Sequence, residues 1–218
     1  MPGEIPGYIV RVKPQLGKQH DLHGSAPDNH EVALLLIDVI NDFEFPRGEE
    51  LFEQAIKIAG NIAALKKRAT AAGIPCVYVN DNFGRWQSNF DEIVRHCLEP
   101  GVRGRPFVEQ LVPQKEDYFV LKPKHSGFYQ TPLEILLKHL GANRVILTGV
   151  STNSCVLFTA NDAYMRDLDI TVPVDCVAAC NCQENDVAIQ HIKNTLKADL
   201  SPSTELLAEL AASSSNGG

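Results

Sequence analysis

The stretch VALLLIDVINDF, residues 32–43, decides the fold. Six aliphatic residues, Val32 to Ile37, run without a polar interruption and stop at a carboxylate, Asp38. A run that is short and apolar at every position predicts a strand covered on both faces, as in parallel sheets. Working outward, the same pattern returns at Cys76 to Val79, Tyr118 to Leu121, Val145 to Thr148 and Ile170 to Val174. Between these runs the period changes. Phe52, Ala55, Ile56, Ala59, Ile62 and Ala63, then Leu133, Leu136, Leu137 and Leu140, recur at three and four, which predicts amphipathic helices. Gly73-Ile74-Pro75 and Gly141-Ala142-Asn143 stop those helices just ahead of a strand, with glycine supplying the left-handed cap. Strand, helix and strand in series predict an α/β fold, a three-layer α/β/α sandwich around a mostly parallel, doubly wound sheet with right-handed crossovers.

A chain of 218 residues corresponds to one such domain and can bury roughly 70% of its unfolded surface without disulfides or a structural metal. The expected boundaries are an N-terminal arm over residues 1–31, a single domain over 32–212 and a frayed tail of Ser, Asn and Gly over 213–218. Lys and Arg number 20 against 27 Asp and Glu, a net charge of −7 with no block of like charge, so nucleic acid and anionic membranes are excluded as default partners. The longest aliphatic run is far too short to span a bilayer. The first residues, MPGEIPGYIV, lack the basic start and apolar core of a secretory signal. A reducing, cytoplasmic compartment is therefore expected, in which the six cysteines are thiols.

Ligands of open parallel sheets bind outside the carboxyl ends of the strands. Past the first expected strand stands Asp38, past the second Asn80-Asp81-Asn82, past the third Lys122, and past the fourth Gly149-Val150-Ser151-Thr152-Asn153-Ser154-Cys155. Taken singly, an Asp ending a strand is most often a turn residue, a Lys before Pro123 is most often solvated, and a lone Cys is usually a small buried hydrophobe. Together they put a carboxylate, an ammonium and a thiol on one rim. A cysteine opening a helix has its thiolate favoured by the dipole and unpaired amides, which would also serve as an oxyanion hole. Asp38 is placed to take the thiol proton and Lys122 to hold both anions.

Three segments, LLLIDVINDF, VLKPKHSGF and LTGVSTNSCV, resemble in order and spacing the isochorismatase-like cysteine hydrolases, a family that includes nicotinamidases, carbamoylsarcosine amidohydrolases and ureidoacrylate amidohydrolases. The likeness runs over residues 32–191. It implies the isochorismatase-like hydrolase fold and matches Asp38, Lys122 and Cys155 to the family's catalytic Asp, Lys and Cys. Lys122 is chosen over Lys124 because it lies four residues before Ser126. The resemblance also implies a cis peptide between Val150 and Ser151, an oxyanion hole from the Ser151 and Cys155 amides, and a homo-oligomer, dimer or tetramer.

The match departs in two places. Family members commonly carry Gln two residues after the aspartate, where this chain has Ile40. Nicotinamidases carry an Asp and spaced histidines after the second strand that bind a divalent metal, whereas this chain reads Asn80-Asp81-Asn82-Phe83-Gly84-Arg85-Trp86. No metal and no cofactor are therefore expected. In that loop Arg85 offers a planar fork for a substrate carboxylate and Trp86 an apolar wall, though an Arg beside an aromatic is equally typical of a subunit contact. Phe43 and Phe128, which follow two of the motifs, are further candidate pocket walls, although phenylalanine is more often plain core. Cys176, Cys180 and Cys182 lack a Cys-x-x-Cys pair and a fourth ligand and read as core or redox-inert thiols. His125 lies between Lys124 and Ser126 near the expected site, which makes it a candidate substrate contact, although a surface histidine is the commoner case.

The expected activity is cofactor-independent hydrolysis of a small amide, carbamoyl or ureido substrate through a thioester on Cys155. The alternatives are isochorismatase-type vinyl ether hydrolysis, which would need no thiol, and a catalytically silent scaffold or binding subunit.

Overall fold

The computed structural model describes residues 30–84, 86 and 89–206, so most of the expected arm, the tail and Arg85 lie outside the described residues. Its elements, in chain order, are β1 (Val32–Ile37), α1 (Gly48–Ala71), β2 (Cys76–Asp81), α2 (Phe90–Cys97), α3 (Arg105–Val108), β3 (Tyr118–Lys122), α4 (Leu133–Leu140), β4 (Arg144–Val150), a π-helical turn (Thr152–Val156), α5 (Leu157–Tyr164), β5 (Asp169–Thr171), β6 (Val177–Ala178) and α6 (Cys182–Leu196).

The strands form one parallel sheet in the order β3-β2-β1-β4-β5, with β6 also paired to β4. Period-two alternation divides the interior between the two faces. Leu34, Leu36, Tyr78 and Ile146 pack with the buried stripes of α1, α2 and α3, whereas Ala33, Leu35, Ile37, Val77, Val79 and Leu147 pack with α4, α5 and α6. Both faces are covered, which is why the strands read as continuous apolar runs. Gly141, at φ 74°, caps α4 in the left-handed conformation.

The last expected strand differs. Ile170 to Val174 is not one strand: β5 stops at Thr171 and pairs with the start of β4, and β6 then pairs with its end, Gly149 with Val177 and Val150 with Ala178. Pro173 has no N–H to give a ladder, and the Val172 amide donates instead to the Asp199 carbonyl.

From β1 the chain proceeds toward β2 and β3 on one side of the sheet, and β4 returns to the other side of β1. The crevice at this reversal of strand order is where open α/β sheets bind ligands. Ile37 and Gly149 are paired there, and Gly149 adopts φ 109°. A Cβ at Gly149 would sit 2.0 Å from the Ile37 carbonyl oxygen, so only glycine permits this approach of β1 to β4. Among the described residues no helix is long and apolar enough to cross a membrane.

Candidate active site

The chain turns sharply as it leaves β1. Asp38 has φ 49°, a left-handed conformation in which non-glycine residues are uncommon, and its amide donates to the Val79 carbonyl. The fully buried Asn80 side chain clamps the following segment, accepting from the Ile40 amide at 3.1 Å and donating to the Ile40 carbonyl at 2.9 Å. The Asp81 amide donates to Asp38 Oδ1 at 2.7 Å. One carboxylate oxygen is thus fixed by backbone, and the other faces the sheet's rim.

That second oxygen, Asp38 Oδ2, lies 2.9 Å from Lys122 Nζ, and the ammonium is also 3.4 Å from Cys155 Sγ and 3.5 Å from Asp81 Oδ2. Lys122 ends β3 with no exposed side-chain surface. Burial pushes its ammonium down, but the Asp38 carboxylate, Cys155 and Asp81 outweigh that effect and hold it above the ordinary lysine value. The Cys155 thiol is pushed up to about 12, first by burial and then by the Asp38 charge and its hydrogen bond to Asp38, with Lys122 opposing. Burial and the Asp38 carboxylate both favour the protonated sulfur. Cys155 lies inside the π-helical turn that leads into α5, so it opens a helical segment as expected, while burial beside a carboxylate works against the thiolate there.

A chain of hydrogen bonds ties this turn to the body of the domain. The peptide bond between Val150 and Ser151 is cis. Ser151 Oγ donates to Asn153 Oδ1 at 2.5 Å, Asn153 Nδ2 donates to Glu184 Oε2 at 3.0 Å, and Arg47 donates to Glu184 Oε1 at 2.8 Å. Hydrogen bonds from Arg47 hold the Glu184 carboxyl below its usual range. Thr152 Oγ1 donates to Asn185 Oδ1 at 2.6 Å, and Thr159 Oγ1 to the Cys155 carbonyl at 2.7 Å. Sequence reasoning missed Glu184 and Arg47. The spacing Asn181-x-x-Glu184 marks a capping box that starts α6, but it does not show what the outer carboxylate oxygen holds.

The structure therefore brings Asp38, Lys122 and Cys155 together, with Ser151 at the head of the same turn. It does not bring Phe43 or Phe128 to an open wall. Phe43 is fully buried in edge contacts with Phe52 and Phe107, and Phe128 is 5% exposed, part of the core beneath the Arg166 guanidinium. The tight turn after Asp38 sends the Phe43 ring into one core, and Phe128 packs in the core on the other face of the sheet, so neither forms the expected open wall. Trp86 is 82% exposed. Lys124, the rejected lysine, is exposed. His125, read as a surface residue, lies with Nδ1 3.8 Å from Cys155 Sγ and 3.2 Å from Ser154 Oγ.

The loop after β2 is committed to turns: Asp81 Oδ1 accepts from the Phe83 amide and Asn82 Oδ1 from the Gly84 amide. Among the described residues no group of three or more His, Cys, Asp or Glu side chains could hold a metal ion. Cys176 is buried, Cys180 partly so, and Cys182 is exposed, so the last is not a core thiol.

Residues 32–202 match the isochorismatase domain model. The chain belongs to the isochorismatase family. Its relatives include the uncharacterized isochorismatase family protein YaaI of Bacillus subtilis, 41% identical over 175 residues that cover 80% of this chain and 96% of that one. Two solved structures share the fold. Nicotinamidase/pyrazinamidase PncA of Bacillus subtilis is 28% identical with a TM-score of 0.62, covering 79% of this chain and all of that one. N-carbamoylsarcosine amidase of Thermoplasma acidophilum is 29% identical with a TM-score of 0.61, covering 80% of this chain and 97% of that one. These two family members are amidases by name.

Proposed function

We propose that the protein is a cysteine hydrolase acting on a non-peptide C–N bond of a small amide, carbamoyl or ureido substrate, through a thioester on Cys155. The observation that carries this reading is the single ammonium, Lys122, bridging the Asp38 carboxylate and the Cys155 sulfur. Asp38 takes the thiol proton as Sγ bonds to the substrate carbonyl carbon, so that the nucleophile is generated only as it attacks. The carbonyl oxygen becomes an oxyanion beside the Ser151 and Cys155 amides. The C–N bond then breaks as Asp38 returns its proton to the departing nitrogen; water, deprotonated by Asp38, attacks the thioester carbon, the C–S bond breaks to release the acid, and Asp38 passes the proton back to the sulfur. Lys122 keeps the carboxylate and the transient thiolate close through both halves. No step calls for a metal or an organic cofactor.

Vinyl ether hydrolysis is the rival, and the placement of a thiol against the carboxylate weighs against it, since that reaction has no use for Cys155. The experiment is a screen of small amides, carbamoyl compounds and ureides for ammonia release, with Cys155→Ala and Asp38→Asn as controls. Both variants should lose turnover while keeping the fold. A variant within a few-fold of wild type would overturn the reading.

We also infer a homo-oligomer, a dimer or tetramer, in the cytoplasm. The support is the family resemblance together with Phe83 at 41% and Trp86 at 82% exposure on one loop, apolar surface that a subunit contact would cover. A monomer mass by light scattering at micromolar concentration would count against it.

A further inference from the structure

The Cys155 sulfur has two sides. The inner side is filled by Lys122 at 3.4 Å and by Asp38, both buried. The outer side is bounded by the exposed ring of His125, whose Nδ1 is 3.8 Å from Sγ and 3.2 Å from Ser154 Oγ. The ring is not loose. It packs against Phe158 at a centroid distance of 5.5 Å, and the residues that follow it are pinned to α5. The Gly127 amide donates to Thr159 Oγ1 at 3.0 Å, and Ser126 Oγ donates to Asp162. Thr159 in turn donates to the Cys155 carbonyl, so the His125 loop and the thiol share one support.

An acyl group bonded to Sγ has only the outer side in which to extend. A single covalent bond there brings the acyl carbon and its substituents within hydrogen-bond reach of Nδ1. An imidazole changes charge between roughly pH 5 and 8, and as a cation it offers donors to an anion or a strong acceptor. Among the described residues, the charged and titratable groups around it are Cys155 itself, Asp38 and Lys122 behind the sulfur, and Lys124 beside it in the chain. Asp162 on α5 is turned to Ser126 and Arg166.

We propose that His125 is a substrate-binding residue that, when protonated, holds a carboxylate on the acyl part of the substrate close to the scissile carbonyl, so the enzyme selects acids over their neutral analogues. This rests on Cys155 being the nucleophile, and it deepens that reading by naming the substrate class.

The test alkylates Cys155 of the full-length protein with iodoacetate, ionised throughout, and with the neutral iodoacetamide, from pH 8 to pH 5, with the labelled cysteine followed by peptide mass spectrometry. The ratio of the two rates cancels whatever the thiol's own ionisation does. In wild type the ratio should rise at least fivefold as pH falls. In His125→Gln it should stay low and nearly flat, and in His125→Lys it should be high and flat, because an ammonium remains charged across the range. A wild-type ratio that does not change with pH, or a His125→Gln profile equal to wild type, overturns the role of His125 while leaving Cys155 as nucleophile. A Cys155 that reacts with neither reagent faster than the buried Cys97 overturns the nucleophile reading, and the role of His125 with it.

Discussion

Lys122 and Asp38 meet over the end of the strand between them: β3 delivers the ammonium across β2 to Asp38 Oδ2 at 2.9 Å, with both side chains nearly free of solvent contact. A buried pair of this kind is a poor source of net stability but costly to break from one side, because the remaining charge is left desolvated. Lys122→Met should therefore cost about 3–5 kcal/mol in chemical denaturation. Asp38→Asn in the same chain should recover part of that loss. A loss below about 1 kcal/mol would mean that the pair behaves as a surface bridge.

After burial, the same carboxylate is the chief influence on the state of the sulfur. With the Cys155 thiol pushed up to about 12, thiolate absorbance from this residue should be absent at neutral pH. Asp38 raises the thiol through charge and a hydrogen bond, so Asp38→Asn should bring its titration midpoint down by roughly one to three pH units, with Lys122 still favouring the anion. Subtracting the spectrum of the matching Cys155→Ala protein isolates the signal. A midpoint that stays put or rises in Asp38→Asn would contradict the arrangement.

Two thiols away from the site add to the loss of stability in alkali that Cys155 also brings. Burial pushes both Cys97, seconded by Asp42, and Cys176, seconded by Asp175, from an ordinary value near 9 up to about 12. Between those values the folded chain holds a proton that the unfolded chain has lost. The stability each thiol contributes is present in full below about pH 9 and is lost as pH rises to 12, at about 1.4 kcal/mol per pH unit per thiol. Denaturation midpoints measured from pH 8 to 11 should fall along this slope. Cys97→Ala and Cys176→Ala should each flatten it, whatever the cavity costs at neutral pH.

The strand ends were legible because each buried strand is a continuous apolar run that stops at a polar residue, and three of those stops, Asp38, Lys122 and the segment to Cys155, fall on one rim. The burial of Lys122 was not legible from its surroundings, since a lysine before proline looks solvated. Only its partner on a strand two places away makes burial tolerable, and the motif spacing pointed to it by resemblance alone. Phe43 misled for the converse reason: proximity in sequence to Asp38 says nothing about direction once the chain turns through left-handed conformations at Asp38 and again at Phe43. Glu184 reaches the site from α6, and a single sequence carries no periodicity that joins it there, whereas His125 lies within the lysine motif itself and was legible as a neighbour of the site.

Glu184 supplies the last test, because it acts at a distance from the sulfur. Its two oxygens hold Asn153 and Arg47, and Asn153 in turn holds Ser151, the residue whose amide is assigned to the oxyanion. Glu184→Ala removes that anchor without touching Asp38, Lys122 or Cys155. The expected result is a fall in kcat of roughly tenfold, below the hundred- to thousandfold that deleting an oxyanion donor costs, with little change in KM. Glu184→Gln keeps an acceptor for Asn153 and should restore most of the rate. A merely structural role predicts a different pattern, in which both variants lower the denaturation midpoint and leave the kcat of the folded fraction unchanged. Measuring kcat per folded molecule alongside the midpoint separates the two, and an unchanged kcat in Glu184→Ala would remove the network from the chemistry.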